Sequence, residues 1–114
     1  MADYWILDDE NQPVPAEFME WARFFENMDR RRVAGDDIAG HFVSTVFLGI
    51  DHRFGDKGPP LLFETMVFPN DDWTDAECHR YSTWDDALTG HQATVRRLTD
   101  LARAADALLQ KTCG

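Results

Sequence analysis

Two stretches with apolar residues at helical spacing, one near each end, enclose a middle built of shorter strand-like segments. The apolar residues of the first stretch are Phe18, Trp21, Ala22, Phe25 and Met28. The second repeat begins at Trp84 and continues at steps of three and four to Leu108. Such repeats line one side of a helix with apolar side chains. They predict helices from Pro15 to about Val33 and from Trp84 to about Leu109.

Four short segments have the β-branched and aromatic content of strands. They are Asp3–Asp8, Phe42–Ile50, Leu61–Phe68 and Glu77–Ser82. The first is short and bulky, which is typical of an edge strand. Phe42–Ile50 is apolar on both faces, which predicts burial on both sides. Turn residues predict a turn over Asn11–Pro15 and a loop over Gly35–Gly40.

The predicted order of elements is β-α-β-β-β-α. Consecutive strands with short connections favour an antiparallel meander. We therefore predict an α+β fold, in which a small antiparallel sheet is covered by two long α-helices. The sheet would consist of a three-strand meander plus the short N-terminal strand. Because the sequence contains no internal repeat, low-complexity segment or linker, residues 1–114 are predicted to form a single domain.

The charge balance narrows the classes of partner. Eleven Lys and Arg stand against 21 Asp and Glu, a formal net charge of −10. Nucleic-acid affinity depends on neutralising phosphates with cations, so we expect no direct nucleic-acid binding. An anionic membrane surface is disfavoured for the same reason. The α-β-β-β-α portion matches the order of a double-stranded-RNA-binding domain, but Asp85 and Asp86 would repel phosphates at its second helix. The charge favours a partner with a basic surface, or serves solubility alone.

Cysteine content and the N-terminus indicate the compartment. Cys78 and Cys113 are too few for a disulfide framework, so both are interpreted as free thiols of a reducing compartment. Met1–Asp9 lacks the basic region and apolar run of a signal peptide. We expect a cytoplasmic protein.

Residues for catalysis or metal binding do not occur at characteristic spacings. Zinc sites use closely spaced pairs of ligands, and the adjacent Cys78 and His79 would point to opposite faces of a strand. The glycines match no nucleotide-binding loop. We expect no enzyme activity, no catalytic residues, no metal and no cofactor. The run Arg30–Arg32 either completes a helix C-terminus or binds phosphate.

Glu64 and His91 interrupt otherwise apolar patterns. Glu64 lies inside the predicted strand Leu61–Phe68, where a carboxylate needs a basic partner. Arg80 is the leading candidate for that partner. The other candidates are Arg53, His79 and His52. His91 lies on the apolar side of the last helix and is interpreted either as a satisfied core histidine or as a functional residue.

If both residues are functional, they would line one polar pocket between sheet and helix. The candidate binding residues of that pocket are His52, Glu64, Tyr81, Trp84 and His91.

Three segments resemble small proteins encoded by tailed phages and prophages. They are Ser44–His52 (STVFLGIDH), Pro60–Phe68 (PLLFETMVF) and Tyr81–His91 (YSTWDDALTGH). The resemblance covers roughly Trp21 to Leu98, and Thr99–Gly114 matches weakly. It implies a phage accessory protein and assigns neither an activity nor site residues.

Small acidic phage proteins often act by binding. We expect an antagonist of a host defence protein that uses an acidic surface. The alternatives are a sponge for a small signalling nucleotide, or an accessory of the virion or its assembly. The length of the last helix also predicts a homodimer. Its residues from Leu98 to Leu109 would extend beyond a three-strand sheet and expose an apolar stripe.

Overall fold

The structure of the protein, a computed structural model, describes residues 3–51, 58–69 and 77–113. Its elements are β1 (Tyr4–Leu7), β2 (Pro13–Ala16), α1 (Phe18–Phe25), α2 (Met28–Arg31), β3 (Arg32–Ile38), β4 (His41–Phe47), β5 (Phe63–Pro69), β6 (Glu77–Tyr81) and α3 (Trp84–Cys113). The fold is α+β, as predicted. Within these residues, two antiparallel sheets have the strand orders β1-β2 and β3-β4-β5-β6.

The N-terminal segment is a hairpin and not a lone strand followed by a turn. β1 pairs antiparallel with β2, and Trp5 lies opposite Pro15. The Asp8 carboxylate accepts hydrogen bonds from the backbone amides of Glu10 and Gln12, both at 2.9 Å, and so closes the turn. The prediction of a turn through Pro15 was wrong because prolines are tolerated on an edge strand, where no second neighbour needs their missing N–H.

The first helix is much shorter than predicted. α1 ends at Phe25, and a single turn, α2, follows after Asn27. The Asn27 side chain accepts from the backbone amide of Arg30 at 3.3 Å, and this local cap restarts the chain in a new direction. The predicted helix to Val33 was therefore wrong, because the chain from Arg32 onwards pairs with β4 as a strand.

Most of the predicted loop Gly35–Gly40 belongs to β3, and the turn is confined to Ala39 and Gly40. Both residues have positive φ, 52° and 77°. That conformation is typical of two-residue turns between antiparallel strands. The meander accordingly has four strands, one more than predicted.

The helix α3 packs on one face of the four-strand sheet, here called the helix-facing side. Burial alternates along β4 and β5, so this side holds the buried residues. They are Val43, Thr45, Phe47, Phe63, Thr65 and Val67. The residues between them are half-buried and point to the outer side. The prediction that the strand Phe42–Ile50, which contains β4, is buried on both faces was therefore wrong.

The core has two clusters along α3. The larger one contains Leu7, Phe47, Leu62, Phe63 and Ala87, and the smaller one contains Val43, Val67 and Leu98. The short α1 contacts the hairpin strand β1, while α3 contacts all four strands of the sheet. Among the described elements, α3 is therefore the helix that covers the sheet, so one of the two predicted long covering helices is present.

The predicted start of α3 is confirmed. The backbone amide of Asp86 donates to the Thr83 hydroxyl at 3.0 Å, which caps the first turn. Gly90 of α3 lies close against β6, because a Cβ at this position would collide with the Tyr81 hydroxyl oxygen. The helix continues to Cys113, beyond the predicted end near Leu109.

Candidate functional site

A chain of hydrogen bonds joins α3 to the sheet through His91. The imidazole Nδ1 lies 2.7 Å from Thr45 Oγ1, and Nε2 lies 2.6 Å from Asp36 Oδ2. Thr45 Oγ1 also lies 2.5 Å from Thr65 Oγ1 on the neighbouring strand. Thr45 and Thr65 meet because they are directly opposite in the register of β4 and β5. Asp36 reaches the same side from β3.

The partners of His91 determine where its proton lies. A carboxylate can only accept, so Nε2 carries the hydrogen and donates to Asp36. In the neutral ring Nδ1 then accepts from the Thr45 hydroxyl, which leaves Thr45 free to accept from Thr65. With this direction of donation both ring nitrogens of His91 and both threonine hydroxyls have a hydrogen-bond partner. His91 is 2% exposed and is therefore a satisfied core histidine.

The order carboxylate, imidazole, hydroxyl is also that of a nucleophile activated by a base. Thr45 and Thr65 are each 0% exposed, so a substrate has no route to either hydroxyl in this conformation. The chemistry that this arrangement does supply is structural. It connects the middle of α3 to three strands by charge-assisted and neutral hydrogen bonds.

The structure brings some of the predicted pocket residues together and separates others. Tyr81 lies against Gly90, the Trp84 ring is 6.3 Å from the Phe63 ring, and His91 follows on the same side. Glu64 points to the outer side of the sheet, because its neighbours Phe63 and Thr65 point toward α3.

His52 lies outside the described residues. A single pocket shared by Glu64 and the three helix-side residues Tyr81, Trp84 and His91 is therefore not formed.

The predicted partner of Glu64 is confirmed. Arg80 lies opposite Glu64 in the register of β5 and β6, and its Nε donates to Glu64 Oε2 at 3.1 Å. The Cys78 thiol donates to the same oxygen at 3.3 Å. Burial, followed by the hydrogen bond and the negative charge of Glu64, raises the pKa of Cys78. This outer row is a cross-strand ion pair beside a protonated thiol.

The arginine run is engaged by the protein itself. Arg31 is buried, and it donates to the carbonyl oxygens of Phe47 at 3.0 Å and Phe25 at 3.2 Å. Burial lowers its pKa. Arg30 donates to the carbonyl of Asp8 at 2.9 Å and to the Asn11 side chain at 3.1 Å. These two guanidinium groups join the helical segment to β4 and the hairpin, which leaves Arg32 as the exposed member of the run.

Sequence reasoning missed an exposed apolar surface on and beside α1, because the helical repeat had predicted a buried stripe. Its four exposed members, here called the α1 surface, are Phe18, Met19, Phe25 and Met28. Phe18 is 52% and Met19 60% exposed. The side of α1 that reaches the core carries Phe24, whose ring lies 5.9 Å from that of Phe47.

Ring contacts keep this surface in place. Trp21 lies 5.2 Å from Tyr4, 6.1 Å from Phe18 and 4.9 Å from Phe25 between ring centroids. The Trp21 indole donates to the carbonyl of Leu48 at 3.1 Å. Trp21 and the rings around it are thus held to β1 through Tyr4 and to the end of β4 through Leu48. The exposed rings of Phe18 and Phe25 therefore form a preformed surface.

Acidic side chains surround the α1 surface. The exposed acids between residues 17 and 29 are Glu17, Glu20, Glu26 and Asp29, against one exposed base, Arg23. A hollow of about 430 Å³ adjoins Phe18. It is lined by Asp3, Tyr4, Pro15, Ala16, Glu17, Phe18 and Glu20. The surface thus combines apolar rings with a local excess of negative charge.

Across 3–51, 58–69 and 77–113, no three His, Cys, Asp or Glu side chains are grouped closely enough to hold a metal ion. In that part of the chain, no helix has the length and apolarity needed to cross a membrane. Comparisons with protein-family models, curated proteins and solved structures find no match.

Proposed function

We propose that the protein acts by binding, without catalysis, and that the α1 surface docks a protein partner with a basic surface. The observation that carries this proposal is that four large apolar side chains on and beside α1, those of Phe18, Met19, Phe25 and Met28, are exposed among exposed acidic residues. Soluble monomers rarely expose clustered large apolar side chains without an interaction to bury them. The partner would supply apolar contacts to the exposed apolar side chains. It would also supply cations to the acidic residues around them, here called the rim (Glu17, Glu20, Glu26 and Asp29).

Charge decides which class of partner fits. With a net charge of −10 and four exposed acids around this surface, Lys and Arg on the partner accelerate encounter and set orientation. Two copies of the α1 surface would bring like charges together, and so would a nucleic acid. The resemblance to phage-encoded proteins leads us to propose that the partner is a host protein, whose activity is blocked while this surface is occupied.

Glu64 points away from Tyr81, Trp84 and His91, so the nucleotide-sponge alternative loses the shared pocket on which it was based.

A pair of labelled peptides tests the charge and the apolar part separately. One is an amphipathic peptide with leucines flanked by lysines, and the other has every lysine replaced by glutamate. We expect fluorescence anisotropy to show micromolar binding of the basic peptide that weakens with added salt. Equal binding of the acidic peptide would contradict the proposed complementarity.

Variants locate the site. Glu17→Lys with Glu20→Lys reverses the charge of the rim, and we expect affinity for the basic peptide to fall by about tenfold or more. Met19→Ala removes an exposed apolar contact without touching the core. The matched control is Leu108→Ala, which removes an equally exposed apolar side chain far along α3. If the control weakens binding as much as the α1 variants do, the α1 surface is not the site.

The same variants identify the natural partner. A photo-crosslinking amino acid at position 19 would be used in host lysate with the wild-type rim and with the Glu17→Lys, Glu20→Lys rim. The proposal expects a crosslinked protein with a basic surface that disappears with the reversed rim. A crosslink that survives the charge reversal contradicts it.

A further inference from the structure

The second half of α3 exposes an apolar stripe of its own. The stripe, here called the tail stripe, consists of Leu101, Ala102, Ala105, Leu108 and Leu109. Leu101, Leu108 and Leu109 are 57%, 65% and 62% exposed. It continues the side that the sheet buries at His91 and Leu98. The tail stripe is thus the extension of a core face beyond the end of the sheet.

A hollow lies where the sheet ends and the tail stripe begins. It has a volume of about 450 Å³ and lies under the Leu98–Ala102 segment of α3. Its lining residues are Ala39, His41, Val67, Pro69, Glu77, Arg97, Leu98, Leu101 and Ala102. Six of these nine lining residues are apolar, so the hollow is suited to leucine side chains. One chain therefore carries both the exposed Leu108 and Leu109 and, six to eleven residues earlier on the same helix, a hollow of matching chemistry.

The charges in this region allow two copies to approach. Residues 101–110 contain one cation, Arg103, and one anion, Asp106, so the segment has no net charge although the whole chain has −10. The α1 surface lacks this balance. Like-charge repulsion therefore disfavours self-association at α1 and does not oppose it at the tail.

We propose that two copies pair through the tail stripe as an antiparallel two-fold dimer, with the axis at Ala105. In this register Leu101 of each copy lies opposite Leu109 of the other, and Ala102 lies opposite Leu108. The leucines of each tail then enter the other copy's hollow at Leu98–Ala102. The small Ala105 at the crossing lets the two helices approach closely. A two-fold contact uses the same residues on both copies, so one stripe and one hollow are sufficient.

This pairing is independent of the proposed function, because it leaves the α1 surface exposed on both copies. Dimerisation would present two α1 surfaces at once and raise the apparent affinity for a multivalent partner.

Light scattering on the full chain between 5 and about 200 µM tests the association, since an interface of this modest size is expected to be weak. We expect the mass to rise from 13.1 kDa toward twice that value. Leu108→Asp with Leu109→Asp should keep the protein monomeric with an unchanged melting temperature, because both side chains are exposed in the single chain. The control Met19→Asp should still dimerise. A monomer throughout, or a dimer that survives the Asp variants, overturns the proposal.

Disulfide trapping tests the antiparallel register in a background with Cys78→Ser and Cys113→Ser. Ala105→Cys should form an intermolecular disulfide, because the two-fold axis brings both copies of this position together. Thr112→Cys, two turns further along the helix, should not, because the two copies would lie about 21 Å apart at 1.5 Å per residue. Trapping at both positions indicates a parallel pair, and trapping at neither or at Thr112 alone also overturns the register.

Discussion

The first half of α3 and its second half carry the same apolar repeat in different surroundings. From Trp84 to Leu98 the helix runs about 21 Å, close to the length of a seven-residue strand. Over this distance it passes Phe47 and Phe63, then Thr45 and Thr65, then Val43 and Val67. Beyond Leu98 the strands end, and the repeat is exposed.

A helical repeat therefore identifies the apolar side of a helix, but it does not show how much of that side other elements cover. α1 shows the same effect at the other end of the molecule, where the repeat includes the exposed Phe18 and Phe25. What distinguishes the two exposed regions is charge. The acidic surround of α1 favours a basic partner, and the balanced tail permits a second copy.

The largest expected contrast is between equivalent leucines in the two halves. Leu98→Ala should lower the free energy of unfolding by about 2–4 kcal/mol, because Leu98 is 7% exposed and packs between Val43 and Val67. Leu108→Ala should change it by less than about 0.5 kcal/mol. Urea unfolding at 1 µM, a concentration at which the proposed weak dimer would be dissociated, checks both. Equal losses would show that the tail is covered within the single chain.

The His91 network should be the next most sensitive feature of the covered half. His91→Ala removes a buried ring and two hydrogen bonds, and we expect a loss of about 2–3 kcal/mol in unfolding free energy. Asp36→Ala should cost about 1 kcal/mol or less, because the Asp36 side chain is 53% exposed and water replaces it. The same urea unfolding compares the two. A larger loss for Asp36→Ala would contradict a core role for the imidazole.

Gly90 tests how closely the covered half approaches the sheet. A Cβ here would collide with the Tyr81 ring as well as with its hydroxyl oxygen. Crowding costs about 1–3 kcal/mol, while alanine gains about 1 kcal/mol in helix propensity over glycine. We expect Gly90→Ala to destabilise the protein by up to about 2 kcal/mol net. Thermal melts of the double variant with Tyr81→Ala should show this penalty removed, and a stabilised single variant would refute the close contact.

The smallest expected effect on stability comes from Glu77 of β6, which Arg97 contacts at the boundary between the two halves of α3. The Glu77 carboxylate accepts hydrogen bonds from His79, at 2.6 Å, and from Arg97. The hydrogen bond from His79 contributes most to lowering the pKa of Glu77, burial opposes it, and Arg97 adds to it. A pKa lowered by folding stabilises the protein above the ordinary value near 4.5, and this stabilisation is lost as the pH falls through the folded-state value.

Because these side chains are 39–47% exposed, the effect should stay below about 0.5 kcal/mol. Melting temperatures of wild type and Glu77→Gln between pH 3 and 6 measure it. We expect the two curves to separate only at the upper end of that range, and a separation confined to the lower end would reverse the sign of the argument.

Local patterns were sufficient where the partner lay nearby in sequence or directly across a strand. The start of α3 followed from the apolar repeat that begins at Trp84, and the pair Glu64–Arg80 followed from consecutive strands. Local patterns were insufficient to predict the strands β2 and β3. Prolines on an edge strand and a strand directly after a helical turn depend on a partner strand, which local propensity does not contain.

The sequence by itself determined the α+β class, the apolar side of α3 and the excess of negative charge. Each of these depends on residue type and spacing along one segment. The tertiary structure alone decided that His91 bonds Asp36 and Thr45, and through Thr45 is linked to Thr65, because those three residues come from three different strands. It also decided where the apolar side of α3 becomes a surface, because the end of the covering sheet is set by strand register and not by any residue in the helix.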